Sequence, residues 1–218
     1  MTMIERPKQI SEIVTDRLRS DIVNGTYQLG EKLSEKLLSQ IYGVTKAPIR
    51  AAFRRLQTEG LIDIRAQSGT YVFKLETQQL TSLCHLRTAL ELEAVHLALQ
   101  TAQSDCHARL SNICLLMTNA LKQGQQDKYQ KLDTDFHLAL FQAAQSPLLL
   151  STFEAQVSST FAALRHHFAK IEPQIEASMN EHIEICNLVK LGDLKSLNEV
   201  LRLHIENSRV YYNAVVGG

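Results

Sequence analysis

Residues 33–72 read LSEKLLSQIYGVTKAPIRAAFRRLQTEGLIDIRAQSGTYV, and the spacing of their apolar residues predicts several short elements. The first is a helix over Ser34–Tyr42, where the Ser34 hydroxyl can cap the N-terminus. Its apolar face comprises Leu37, Leu38 and Ile41. Gly43 and Val44 then provide a turn, so a second helix is expected to follow closely.

That second helix is predicted to begin after Thr45, a favourable N-cap residue, with Pro48 in the first turn, where the N–H that proline lacks is not needed. Its apolar face comprises Ile49, Ala52, Phe53 and Leu56. With that face turned inward, Lys46, Ala47 and Arg50 remain available to phosphates or base edges. These are the features that a DNA recognition helix requires.

The segments on either side complete a small domain. An earlier helix is predicted over residues 11–24, with an apolar face of Ile13, Leu18, Ile22 and Val23. After Gly60, residues 61–65 and 70–73 have the composition of two short strands around a polar turn. Three helices followed by a two-stranded wing indicate a winged helix-turn-helix.

Residues 11–73 resemble the winged helix-turn-helix of the GntR family of transcription regulators, whose pattern runs roughly L-x-E-x-x-L-A-x-x-x-G-V-S-R-x-P-V-R-x-A-L-x-x-L-x-x-x-G-L. The resemblance implies DNA contacts from all three parts of the motif: Lys36, Thr45, Lys46, Ala47, Arg50, Gln67, Ser68 and Gly69. Lys46 stands where the family usually has arginine. Because arginine can bind a guanine edge with two hydrogen bonds and lysine cannot, the operator sequence is expected to differ from the family's usual one.

Charge is distributed unevenly along a chain whose net charge is zero. Residues 1–75 carry 12 Lys and Arg against 8 Asp and Glu, whereas residues 76–218 carry 11 against 15. The positive excess suits an N-terminal domain that meets a polyanion. The sequence has no apolar run long enough for a membrane span and no secretory signal, so a cytoplasmic protein without a membrane partner is expected. The four cysteines are predicted to be buried thiols.

From Thr77 onward the apolar spacing is helical, in six segments separated at Ser104, Gly124, Pro147, Pro173 and Gly192. We therefore predict a mainly α protein with a DNA-binding domain at 1–75 and an antiparallel six-helix bundle at 76–218. In the first segment the predicted buried stripe is Leu80, Leu83, Leu90, Ala94 and Leu97, and Arg87 lies within it. Arg87 could pair with Glu91 one turn later, or with Asp133.

Asp133 and His137 lie one helical turn apart on the inward face of the segment that contains Tyr129, Leu132, Phe136 and Leu140. His182 lies next to a predicted stripe of Ile175, Met179, Ile183 and Cys186, and His204 lies between Leu201 and Ser208. Asp133, His137, His182 and His204 thus offer one oxygen and three nitrogens to a divalent transition metal: zinc first, with nickel, iron, cobalt or manganese as alternatives. The other interpretation is a structural polar cluster.

Residues 77–212 resemble the FCD domain of the FadR branch of GntR regulators, with the six-helix layout of the VanR-like group. The matching segments are LRTALELEAVHLA, LDTDFHLALFQAA, EHIEICNLVKLGD and RLHIENS. The resemblance implies the same four metal ligands, a small carboxylate effector bound beside the metal, and Arg87 as the residue that holds the anion.

These observations predict a homodimeric regulator, a repressor, that binds double-stranded DNA at a palindromic operator. Effector binding would change the bundle or the linker at residues 73–77 and so the spacing of the two DNA-binding heads. Two rival interpretations remain. One is a metal-dependent enzyme, against which Glu181 and Asp135 are expected to point away from the site. The other is a metal-stabilised dimerisation module.

Overall fold

The structure is a computed structural model that describes residues 7–168 and 172–216, and it divides into two compact units on either side of Lys74. The first unit contains three helices and three short strands. In chain order these are α1 (Ile10–Val23), β1 (Lys32–Leu33), α2 (Glu35–Tyr42), α3 (Lys46–Thr58), β2 (Ile62–Arg65) and β3 (Gly69–Val72). Ser34 caps α2 as predicted, because its hydroxyl accepts a hydrogen bond of 3.3 Å from the Leu37 backbone N–H. Thr45 precedes α3 but makes no such bond.

The core of the first unit forms mainly where α1 packs against α3. The predicted face of α3 is confirmed, since Ile49, Ala52, Phe53 and Leu56 are all buried. Three other predictions were wrong: Ile13, Leu37 and Ile41 are 54%, 53% and 57% exposed. In so small a unit α1 and α2 each have few neighbours, so only part of their apolar surface is covered.

The wing has three strands rather than the predicted two. The antiparallel sheet has the order β1–β3–β2, and Lys32 pairs with Tyr71. The two-residue strand β1 is too short to show a period in the sequence. Gly69 begins β3 with φ +130°, and a Cβ there would lie 2.8 Å from the Lys32 side chain. Glycine at this position therefore allows the turn, and it leaves room for the end of the Lys32 side chain.

The second unit is entirely helical within the residues that the structure describes. Its helices are α4 (Thr77–Thr101), α5 (Gln103–Lys122), α6 (Gln126–Ala143), α7 (Pro147–Phe153), α8 (Ser159–Phe168), α9 (Glu172–Leu191) and α10 (Leu194–Val216). A π-helical turn, Glu154–Ser158, joins α7 to α8. The two are thus one helix with a bulge, and the unit has the predicted six helices. None of its described helices is long and apolar enough to cross a membrane.

The buried faces of two helices differ from the prediction. On α4 part of the stripe lies one position further round the helix: Leu83, Leu90 and Leu97 are only half-buried, and Cys84, Glu91 and Ala98 are buried. Leu80, Arg87 and Ala94 are buried as predicted. On α9, Ile183 is 41% exposed, and Ile185 and Val189 are buried instead. On α4 Glu91 rather than Leu90 lies on the buried face, and on α9 His182 is fully buried whereas Ile183 is not. The bundle therefore buries several polar residues, and these form the site described next.

Candidate metal centre and DNA-binding surface

Three histidines from three helices meet inside the second unit. His137 on α6, His182 on α9 and His204 on α10 are at most 2% exposed. The Nε2 atom of His137 lies 3.4 Å from that of His182 and 3.3 Å from that of His204. One ligand atom from each residue can be chosen so that all lie within 4.8 Å of one another. Three imidazole nitrogens at this separation can share one cation.

Asp133 contributes an oxygen to the same place. Its Oδ1 atom lies 3.6 Å from His182 Nε2, and its Oδ2 atom lies 4.0 Å from His137 Nε2. Burial alone would raise the pKa of Asp133, but the Arg165 guanidinium and the neighbouring histidines hold it well below its usual range. Asp133 therefore lies beside the histidine cluster, within 4.0 Å of His137 and His182, and its carboxyl group is ionised.

Two carboxylates outside this cluster fix the orientation of the imidazoles. His137 Nδ1 donates to Glu91 Oε2 at 2.9 Å, and His204 Nδ1 donates to Glu181 Oε2 at 2.7 Å. With the proton on Nδ1, the Nε2 lone pair of each ring faces the centre, as a metal ligand requires. The prediction that Glu181 points away was wrong. A side chain next to His182 in the sequence can still reach α10, because α9 and α10 pack together.

Burial keeps the imidazoles of His137 and His182 in the neutral form that binds metals. Desolvation lowers the pKa of His137 to about 4; the Arg87 guanidinium adds to this effect and Glu91 opposes it. Desolvation also lowers the pKa of His182 well below its usual range. Because both rings are neutral at physiological pH, no proton has to leave before their nitrogens coordinate an ion.

Arg87 lies beside the cluster and has two partners. Its Nε donates to Glu91 Oε1 at 2.6 Å, so the pairing left open by the sequence exists. Its NH2 group also lies 2.8 Å from His137 Nε2 and can donate to it. This guanidinium is 2% exposed and stacks over the Phe161 ring at 4.4 Å. Arg87 therefore engages the same lone pair that a cation would use.

Arg165 on α8 is a site residue that the sequence analysis missed. Its Nη1 atom lies 2.5 Å from Asp133 Oδ2, and its Nη2 donates to Thr134 Oγ1 at 2.7 Å. The suggested pairing of Asp133 with Arg87 was wrong, because each arginine has its own carboxylate. Arg165 lies one turn after Phe161 on a buried face, and that spacing was the available signal.

A cavity of about 250 Å3 opens beside Asp133 and His204. Arg87, Arg165, Asp133 and His204 form part of its wall, and Tyr129 and Tyr212 contribute aromatic surface. The cavity thus combines two guanidinium groups with potential metal ligands and apolar rings. It can hold a small anionic molecule in contact with the candidate metal centre.

The residues predicted to contact DNA lie at the surface of the first unit. Lys36 on α2, and Thr45, Lys46, Ala47 and Arg50 at the start of α3, are exposed. Arg50 is held by Glu35, with 2.9 Å between Nε and Oε2. At the tip of the wing, Gln67 and Ser68 are exposed and Gly69 is half-buried. The arrangement presents the N-terminal end of α3 and a wing tip to solvent.

Comparison with known proteins identifies both units. Residues 10–72 match the bacterial regulatory proteins of the gntR family, and residues 82–207 match the FCD domain. Over 207 residues the chain is 28% identical to the HTH-type transcriptional repressor RspR of Escherichia coli. The aligned region covers 94% of this chain and 90% of RspR.

Solved structures show the same fold. A GntR transcriptional regulator from Rhodococcus sp. RHA1 superposes with a TM-score of 0.81 at 18% identity, over 94% of this chain and 97% of that one. E. coli McbR/YncC superposes with a TM-score of 0.78 at 20% identity, over 97% of this chain and 98% of that one. The relatives are regulators, not enzymes, so the metalloenzyme interpretation is set aside. The chain belongs to the GntR family of bacterial transcriptional regulators, with a C-terminal FCD domain consistent with the FadR type.

Proposed function

We propose that this regulator binds a divalent transition metal through Asp133, His137, His182 and His204, with zinc as the first candidate. The supporting observation is the convergence of three buried imidazoles, two of which are oriented by hydrogen bonds from Nδ1 to carboxylates. A bound ion would supply positive charge and a coordination position for an anion. Nickel, iron, cobalt and manganese are the alternatives, because a set of three nitrogens and one oxygen does not exclude them.

We further propose that the effector is a small organic acid. The buried charges at the site balance as they stand, since Arg87 faces Glu91 and Arg165 faces Asp133. A divalent cation would add two positive charges without compensation, and an unbalanced buried charge is costly. A carboxylate that enters the cavity would offset part of this added charge. Arg87 is the residue proposed to hold it.

The DNA-binding step is proposed to use two copies of the chain on a palindromic operator, with phosphate contacts dominating the affinity. Lys36, Thr45, Lys46, Ala47 and Arg50, with Gln67, Ser68 and Gly69 of the wing, are the proposed contacts. The effector would favour a state of the dimer in which the two α3 helices no longer match their half-sites. Repression relieved by the ligand, in the cytoplasm, is the regulation that this scheme predicts.

One observation favours a second function for the same residues. Arg87 can donate to His137 Nε2, so the polar cluster is satisfied in part by the protein itself. A metal-free cluster would then be structural, and the second unit would serve as a dimerisation module.

Metal analysis of the purified protein distinguishes these functions. We expect about one metal ion per chain in the wild type, none in a His137→Ala, His182→Ala double variant, and one in a His96→Ala control on the exposed part of α4. All three should bind operator DNA before effector is added. Absence of metal from the wild type after incubation with each of the five candidate ions would contradict the metal proposal and favour the structural cluster.

A further inference from the structure

Three of the four cysteines gather where α5 packs against α9, apart from the candidate metal centre. Cys106 and Cys114 lie on α5 and Cys186 lies on α9, and all are free and buried, as the sequence predicted. Cys84 lies on α4, where burial raises the pKa of its thiol to about 11 despite the nearby Arg87. Cys84 therefore has the properties of an inert core thiol, and the other three need a separate explanation.

Cys186 meets α5 within one helical turn of Cys114, because its Sγ atom lies 3.2 Å from the Oγ atom of Ser111. Hydrogen bonding from the Cys114 thiol lowers the pKa of Cys186, and burial opposes this effect. The same hydrogen bond raises the pKa of Cys114 far above its usual range. The thiolate is the reactive form of cysteine, and the Ser111 contact and the Cys114 thiol both favour it at Cys186.

A short polar chain supports the Cys186 sulfur. The Ser111 hydroxyl lies 3.2 Å from Cys186 Sγ, and His107 Nε2 lies 3.1 Å from that hydroxyl. Cys186 is 6% exposed, whereas Ser111 and His107 are half-buried. The sulfur pair therefore lies directly beneath a polar patch of α5 that water reaches. A small uncharged oxidant could approach it there.

We propose that Cys186 and Cys114 form a reversible disulfide across the contact of α5 and α9 when the protein meets hydrogen peroxide. The Cys186 thiolate attacks one peroxide oxygen; an S–O bond forms, the O–O bond breaks, and hydroxide leaves. The Cys114 sulfur then attacks Cys186; the S–S bond forms, the S–O bond breaks, and the Cys114 proton leaves with the hydroxyl group as water. The two thiols supply the two electrons that reduce the peroxide.

The position of the pair couples it to the candidate metal centre. Cys186 follows His182 by four residues, so the two lie one turn apart on α9. A cross-link to α5 would restrain the same helix that carries a proposed metal ligand. The second unit would then respond to oxidation through this disulfide, in addition to any ligand bound in its cavity.

Peptide mass spectrometry tests the proposal on the full-length wild-type protein. The reduced protein is treated with dilute hydrogen peroxide, and its remaining thiols are alkylated at successive times. We expect an intramolecular Cys114–Cys186 peptide, reversed by dithiothreitol, and loss of the Cys186 thiol about tenfold or more faster than loss of the Cys84 thiol. Equal rates at Cys84 and Cys186, or a disulfide that joins Cys186 to Cys106 or to a second chain, would overturn it.

Variants then separate the two steps. Cys114→Ser should leave sulfenic acid at Cys186, trapped by dimedone, and Cys186→Ser should abolish both products. Cys84→Ser serves as the matched control and should oxidise like the wild type. Circular dichroism checks that each variant is folded. Because the wild-type measurement identifies the cross-link by itself, a variant that fails to fold does not decide the outcome. Dimedone labelling of Cys106 rather than Cys186 in folded Cys114→Ser would count against the proposal.

Discussion

Glu181 accepts a hydrogen bond from His204 Nδ1, on the side of the ring that faces away from the site, and this bond orients the ring. Removing such a partner typically weakens metal binding by about 10- to 100-fold. We predict a loss of this size for Glu181→Ala, measured by competition with a coloured zinc chelator. Glu184→Ala, at an exposed position of the same helix, is the control and should bind zinc like the wild type. Equal affinities for both variants would show that His204 needs no support from Glu181.

Arg165 neutralises the buried carboxylate of Asp133, so replacing Arg165 should destabilise the protein. Loss of one partner from a buried ion pair destabilises a protein by about 3–5 kcal/mol. We predict a decrease of that order in the free energy of unfolding for Arg165→Met, with Arg202→Met on exposed α10 surface as the control. Urea denaturation measures both. Because a bound cation would also compensate Asp133, saturating zinc should reduce the loss, and a loss that zinc leaves unchanged would argue against Asp133 as a ligand.

A site residue could be predicted from the sequence where its position on its own helix is enough to put it on the buried face. Asp133 and His137 share a face through their i, i+4 spacing, and His182 and His204 lie on stripes of their own. Arg165 and Glu181 were missed because their roles depend on which helix packs opposite them. The partner of a buried charge is a property of tertiary packing, and a single helical period contains no information about it.

At the scale of single elements, α2 and α3 differ in how their N-termini are capped. Ser34 accepts a hydrogen bond from the backbone of α2, whereas Thr45 makes no cap bond and is a proposed DNA contact. Ser34→Ala should therefore lower the free energy of unfolding by about 1 kcal/mol. Thr45→Ala should change stability little and weaken operator binding. Thermal unfolding measures the stability of each variant, and a fluorescence-anisotropy titration measures its affinity for the operator. A loss of stability for Thr45→Ala but not for Ser34→Ala would contradict the capping geometry.

The sequence predicted correctly which helices exist, but for some helices it predicted the wrong buried face. The stripe of α3 was predicted correctly because leucine, isoleucine and phenylalanine define it. The stripe of α4 was displaced because Glu91 occupies a buried position that hydrophobicity alone assigns to the surface, whereas the burial of Arg87 was predicted. Strand β1 was missed because Lys32 and Leu33 pair with β3 only in the folded chain.

For the whole molecule, operator binding should depend on salt in proportion to the number of phosphates contacted. Replacing a phosphate-contacting lysine reduces the slope of log K against log salt by about one. We predict this change for Lys46→Ala, with binding weakened at every salt concentration. Lys128→Ala, at an exposed position of α6, is the control. An unchanged slope accompanied by altered preference among operator sequences would place Lys46 at a base edge instead.

The hydrogen bond between Arg87 and His137 has a thermodynamic consequence for the intact regulator. Under the proposed function, a cation must compete with the guanidinium for the Nε2 lone pair, and the guanidinium it releases becomes a donor for an anion. Each ligand then prepares the site for the other, and linkage requires that both gain affinity by the same factor. A molecule built this way responds to the product of two concentrations: an organic acid is sensed only in a cell that also supplies the metal.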